Sequence, residues 1–214
     1  MTEHTSKDFE AELVTLRERL VTMGTRAARQ VALAMQALAD RNDDLARDVI
    51  KNDDQIDRDE IEIDELAVQI LATRQPVASD LRLIVMTLKS VVDLERIGDL
   101  ASGIARRVLE LNRLPSRERT ALAELASRVQ SNMYAALDAF VRSDAEKARG
   151  VVAADAGIDR LNASAFATLI VHVASDPATI TRILPLTSVC RCLERIGDHV
   201  KNFAEDVIWI GSQQ

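Results

Sequence analysis

Phe9, Leu13, Leu16, Leu20, Met23 and Ala27 recur at alternating spacings of four and three, and Val31, Ala34 and Leu38 carry the stripe on towards Asp40. That is the period of one apolar helix face, and it predicts a long first helix. Leu45, Val49, Ile56, Ile63 and Ile70 predict a second, ended at Arg74-Gln75-Pro76 because the residue before proline is pushed out of the helical region. Ser79 is placed to cap a third helix over about 80–111, with Leu81, Ile84, Leu88, Val91 and Val92 inward. Leu114-Pro115-Ser116 breaks the chain near its middle.

Leu122, Leu125, Val129, Met133, Ala136 and Phe140 mark a fourth helix, and a fifth is expected over about 144–173. Ser175-Asp176-Pro177 reads as a helix start, with Asp176 as cap and Pro177 in the first position. The sixth helix carries Val189, Leu193, Ile196, Val200, Phe203 and Val207 and runs to about residue 210. No segment alternates with period two over useful length, so strands are not expected. At 1.5 Å per residue a helix of about 30 residues is roughly 45 Å long, so the elements suit elongated bundles.

Leu94-Glu95-Arg96-Ile97-Gly98-Asp99 returns unchanged as Leu193-Glu194-Arg195-Ile196-Gly197-Asp198, and Asp53-Asp54-Gln55-Ile56-Asp57 is matched by Asp155-Ala156-Gly157-Ile158-Asp159. The chain is a duplication. The expected fold is all-α: two tandem, similar three-helix bundles, residues 1–114 and 115–214, each with room for a modest core of its own. A spectrin-like rod accounts for the heptads equally well but not for the repeated carboxylates.

Composition agrees with packed helices: hydrophobic residues make up 47% and aromatic residues 3%. A net charge of −7 argues against nonspecific nucleic-acid binding, which relies on Lys and Arg neutralising phosphates. The first residues have no signal-peptide pattern and nowhere are there 18 consecutive apolar residues, so a cytoplasmic location is expected. Cys190 and Cys192 sit roughly 200° apart on a helix and can neither pair nor share a metal, which leaves them as small core or boundary residues.

Residues four apart share a helix face, so Asp53 with Asp57, Glu95 with Asp99, Asp155 with Asp159, and Glu194 with Asp198 each project side by side. Such pairs repel by about 0.2–0.5 kcal/mol on an exposed helix and by more where water is excluded. Leu88, Val92, Glu95 and Asp99 lie on one line, which places the third helix's pair on an inward stripe that a cation or an Arg has to neutralise. If the second and third helices are antiparallel, four carboxylates converge, and oxygen-only ligation suits hard cations. A solvated acidic face is the competing explanation, especially for the stripe Asp53, Asp57, Glu60 and Asp64. Gly98 and Gly197 favour the site, because glycine costs about 1 kcal/mol inside a helix and its return in both copies implies a close approach. His199 is turned away from Asp198 and reads as a boundary residue; no Glu-x-x-His, phosphate loop or nucleophile elbow occurs.

Arg74-Gln75-Pro76-Val77-Ala78-Ser79-Asp80-Leu81-Arg82 and the two Leu-Glu-Arg-Ile-Gly-Asp copies resemble the PhoU family over essentially the whole chain. The resemblance implies two three-helix bundles in a non-enzymatic, cytoplasmic regulator of phosphate uptake that represses the phosphate-starvation response. Implied partners are the ATPase component of a phosphate ABC transporter and the cytoplasmic part of a membrane sensor histidine kinase, with peripheral membrane association through them; a homodimer is open. It also implies metal binding at the four carboxylate pairs, with iron, zinc, manganese or magnesium all open. An Asn commonly follows the family motif by four residues; Asn202 matches, as a second-layer residue, whereas Gly103 stands in the first half, which points to a weaker first site. The alternative in another class is a carboxylate-bridged metalloenzyme acting on phosphate compounds or oxygen.

Overall fold

The structure, a computed structural model, describes residues 2–113 and 122–211. Six long helices account for nearly all of them: α1 Thr2–Asp40, α2 Asp43–Thr73, α3 Ala78–Asn112, α4 Ala123–Arg142, α5 Ala145–Ser175 and α6 Ile180–Gly211. There is no strand among the described residues. The predicted break at Leu114-Pro115-Ser116 lies outside the described residues, although α3 does end just before it.

The duplication is written into the hairpins. Arg41 and Ser143, both with φ of 54°, turn the chain through the left-handed region. Asn42 and Asp144 follow immediately as caps, accepting from the amides of Leu45 at 3.0 Å and Lys147 at 2.9 Å. A left-handed non-glycine residue costs about 1–2 kcal/mol, and the cap that follows offsets much of it. At the other end of the first bundle, Arg74 donates to Glu12 through Nε at 3.0 Å and Nη2 at 2.9 Å, tying the end of α2 to the start of α1.

Two of the expected helix starts differ in outcome. Ser79 is not the cap of α3: the helix begins at Ala78, with Val77 in the cap position and no side-chain cap bond. The chain leaves Pro76 extended and enters the helix directly, which puts Ser79 inside the first turn. Asp176 does cap, accepting from Ala178 N at 3.1 Å, but the element it opens is a single 3-10 turn, Pro177–Thr179, that runs into α6.

Helices α1–α3 pack as one antiparallel bundle and α4–α6 as the other. The halves join along α3 and α6, which run antiparallel: Asp93 meets His199 and Asn202, Ser90 meets Asp206, and Gly103 lies against Cys192. A second seam joins α1 to α4, where a Cβ on Gly24 would run into Leu137. The two modest cores expected from the sequence are therefore one continuous apolar core, because α3 and α6 bury residues towards both halves. Phe140 and Phe203 make an edge-on pair at 5.8 Å within it.

Candidate functional site

The repeated glycines explain the site. A Cβ on Gly98 would lie 2.7 Å from Ile56 Cδ1 and 3.4 Å from Asp53 Oδ1; on Gly197 it would lie 3.2 Å from Ile158 Cγ2 and 3.9 Å from Asp155 Oδ1. Each glycine thus lets its helix approach the preceding one closely. The first acidic element of a half is laid against the second.

The four pairs share one pattern of exposure. Asp53 and Asp155 are buried, Glu95 and Glu194 are half-buried, and Asp57, Asp99, Asp159 and Asp198 face solvent. The inward stripe expected through Leu88, Val92, Glu95 and Asp99 is corrected: Val92 is 46% exposed and Leu81 42%, so this line runs along the edge of α3. Leu94, Ile97 and Ala101 form the buried face instead. The pairs stand at the rim of the α2–α3 and α5–α6 grooves, with one aspartate of each half at the bottom.

In the first half the acidity is concentrated. Burial raises the pKa of Asp53, with the Ser102 hydroxyl offsetting part of this and repulsion from Asp99 and Asp57 adding to it. Glu95 and Glu60 are raised by burial first, then by repulsion from Asp99 for Glu95 and from Asp64 and Asp57 for Glu60. Asp64 is raised by burial. Arg96 lies at the mouth, 3.4 Å from both Glu95 and Asp99, so an arginine neutralises part of this rim. At the bottom, no cationic side chain among the described residues is in contact with Asp53, and Arg106 opposes its shift only from a distance. Higher on α2, Asp64 Oδ1 is buried without a hydrogen-bond partner among the described residues.

The second half is built differently. Lys201 Nζ donates to Asp155 Oδ2 at 2.9 Å, and this bond raises the lysine's pKa. Asp198 is raised by burial, then by repulsion from Asp155 and Asp159, with His199 and Lys201 opposing. Asn202 donates to Asp93 Oδ1 at 3.3 Å and so sits at the seam between halves. His199 is half-buried, as expected of a boundary residue, with Nδ1 2.7 Å from Asp93 Oδ1.

The donor set is carboxylate oxygen throughout, which fits a hard cation such as Mg²⁺ or Mn²⁺ better than zinc. In the first half Asp53, close to Asp57 and Asp99 and without a cation in contact among the described residues, suits a bound cation; in the second Lys201 already supplies a positive charge. Among the described residues no three His, Cys, Asp or Glu side chains are gathered as a ready ligand set, so loading would require side-chain rotation. Cys190 is buried with its thiol pKa pushed up to about 11, and both cysteines are free, which leaves them inert. Sequence reasoning missed Asp93, Ser102 and Lys201. Comparison of the copies could have found the last two, since Lys201 and Ser102 hold the same place after their motifs.

No helix among the described residues is long and apolar enough to cross a membrane. The PhoU domain model matches residues 20–108 and again 122–207. The phosphate-specific transport system accessory protein PhoU homolog of Pseudomonas aeruginosa is 45% identical over 98% of this chain and 88% of its own, and the PhoU protein of Escherichia coli is 34% identical over 98% and 87%. The crystal structure of PhoU from Pseudomonas aeruginosa superimposes with a TM-score of 0.92 at 44% identity, covering 96% of this chain and all of that one. The phosphate transport system regulatory protein PhoU from Streptococcus pneumoniae gives 0.87 at 26% identity, covering 96% and 98%. Two copies of the domain, relatives matched along nearly their whole length and the same six-helix architecture agree: the chain belongs to the PhoU family, a family of accessory and regulatory proteins and not of enzymes.

Proposed function

We propose that this protein is a non-enzymatic regulator that limits phosphate uptake and keeps phosphate-starvation signalling off when phosphate is plentiful. It acts in the cytoplasm by contact with the ATPase component of a phosphate ABC transporter and with the cytoplasmic part of a membrane sensor histidine kinase, and reaches the membrane through them. The observation that carries the reading is identity along the whole chain, 45% over 98% of it, to a protein named for its accessory role in phosphate-specific transport. Long helices joined along two seams offer extended side faces for such contacts. A coupling of about 1–3 kcal/mol is enough to shift a two-state partner several-fold or more.

We further propose that the carboxylate face binds metal, chiefly through Asp53, Asp57, Glu95 and Asp99, with Asp155, Asp159, Glu194 and Asp198 as the second set. A bound cation would relieve the repulsion among these groups and stiffen the contact between adjacent helices; the side chains orient and hold it. Immobilised kinase cytoplasmic domain should retain the protein at stoichiometric amounts in both metal-free and metal-loaded form. Absence of retention by either the kinase domain or the transporter ATPase would contradict the contact mechanism.

A further inference from the structure

At one end of the seam α3 and α6 part to leave a cleft of about 620 Å³. Arg107 and Arg113 of α3 and Arg191 of α6 line it, with Thr181 and Ser188 beside them and Glu110 as its single carboxylate. Glu110 is engaged by Arg107 at 2.9 Å, whereas Arg113 and Arg191 have no carboxylate partner among the described residues. In a chain of net charge −7, three guanidiniums around one cavity form a local reversal of charge.

The duplication supplies an internal control. The antiparallel seam has a matching cleft position at its other end, where Asp206 corresponds to Arg107, Trp209 to Glu110 and Val92 to Arg191. There Lys89 Nζ lies 5.7 Å from the centre of the Trp209 ring, and Ser90 Oγ is 3.4 Å from Asp206 Oδ2. That end thus holds one lysine over a partly exposed tryptophan, with Asp206 as a carboxylate. The cleft end gathers three guanidiniums instead. Pro185, buried in α6 at the floor of the cleft end, cannot donate to the Thr181 carbonyl, which loosens the first turns of the helix beside the cleft.

We propose that this cleft binds a phosphorylated small molecule carrying several negative charges, a polyphosphate or nucleotide-sized ester. Guanidiniums bind phosphoryl oxygens two at a time through paired N–H donors, and two that lack partners are available to do so without breaking an internal ion pair. The volume lies within the range of sites for molecules of nucleotide size, more than a lone oxyanion needs. The site spans both halves, so its ligand would clamp α3 to α6. It is independent of the carboxylate face and of the regulatory role proposed above.

The full chain, metal-free and at low salt, is titrated calorimetrically with tripolyphosphate, ATP, inorganic phosphate and poly-glutamate. Saturable binding of tripolyphosphate or ATP is expected, weakened on the order of tenfold or more in Arg113→Gln and again in Arg191→Gln, with Arg149→Gln, at the far end of the second bundle, unchanged. Circular dichroism of each variant confirms that a loss is not unfolding. Binding that is lost equally in Arg149→Gln reflects general charge and overturns the site. Inorganic phosphate binding as tightly as tripolyphosphate overturns the ligand class, and poly-glutamate binding where neither phosphate compound does makes the cleft a docking surface for an acidic protein segment instead.

Discussion

Lys201 Nζ stands 2.9 Å from the buried Asp155 Oδ2, whereas in the first half Ser102 holds the place of Lys201, so among the described residues no cationic side chain is in contact with Asp53. Halves that share an identical six-residue motif therefore differ where a cation would matter most. The Asn202 and Gly103 comparison pointed to the first site as the weaker; the geometry favours the opposite order, because Asn202 is committed to Asp93 and Lys201 competes for Asp155. Glu95→Ala with Asp99→Ala should then lower bound manganese or iron, measured by elemental analysis after dialysis, more than Glu194→Ala with Asp198→Ala. Lys201→Met should raise uptake by the second half. Equal content in all of these proteins would assign the pairs to solvated faces.

Asp53 gives the metal-free protein a defined pH response. Burial raises its folded pKa, so between the ordinary aspartate value and that raised value the folded state holds more protons than the unfolded one. Its contribution to stability is complete below the ordinary value and is lost as pH rises through the folded pKa. Glu60, Asp64 and Glu95 act in the same sense, while Glu12, lowered by its bond to Arg74, acts in the other. Asp53→Asn should accordingly raise the melting temperature at pH 7.5 and change it little near pH 4; the same shift at both would show that packing, not charge, is responsible.

The two glycines should not be equally replaceable. At Gly98 an added methyl would press on Ile56 at 2.7 Å, while at Gly197 the nearest atom is Ile158 Cγ2 at 3.2 Å. Alanine gains about 1 kcal/mol in helix propensity, and overpacking costs about 1–3 kcal/mol. Gly98→Ala should be clearly destabilising in urea unfolding and Gly197→Ala close to neutral. The reverse order would mean that the α2–α3 contact is looser than the structure has it.

The seam between halves should show measurable coupling at Asp93 and His199. Their 2.7 Å contact is half-buried and joins α3 to α6. A double-mutant cycle with Asp93→Ala and His199→Ala should return an interaction energy on the order of 0.5–3 kcal/mol. Strict additivity would leave the seam to its apolar contacts alone.

Most of the architecture was legible because apolar residues at spacings of three and four recur in every helix, and a strand has no comparable pattern here. What was lost is finer. Val92 continues the Leu88 line by spacing, yet that line drifts around the 3.6-residue helix to the edge, so Glu95 and Asp99 come to rest at a rim. The caps Asn42 and Asp144 follow residues, Arg41 and Ser143, that rarely enter the left-handed region, which left both hairpins without a glycine signal. Asp53 and Asp155 read as members of acidic pairs, but their burial depends on glycines in another helix. Arg107, Arg113 and Arg191 share a cleft only because α3 and α6 run antiparallel, a fact of packing between halves that no local pattern carries.

The central claim is that the protein represses starvation signalling by contact rather than by turnover, and a chromosomal deletion tests it most directly. With phosphate plentiful, a reporter of phosphate-starvation genes should be switched on in the deletion strain and switched off again when the partner kinase is also removed. A reporter that stays off in the single deletion, with no second copy of the protein present, would contradict the account.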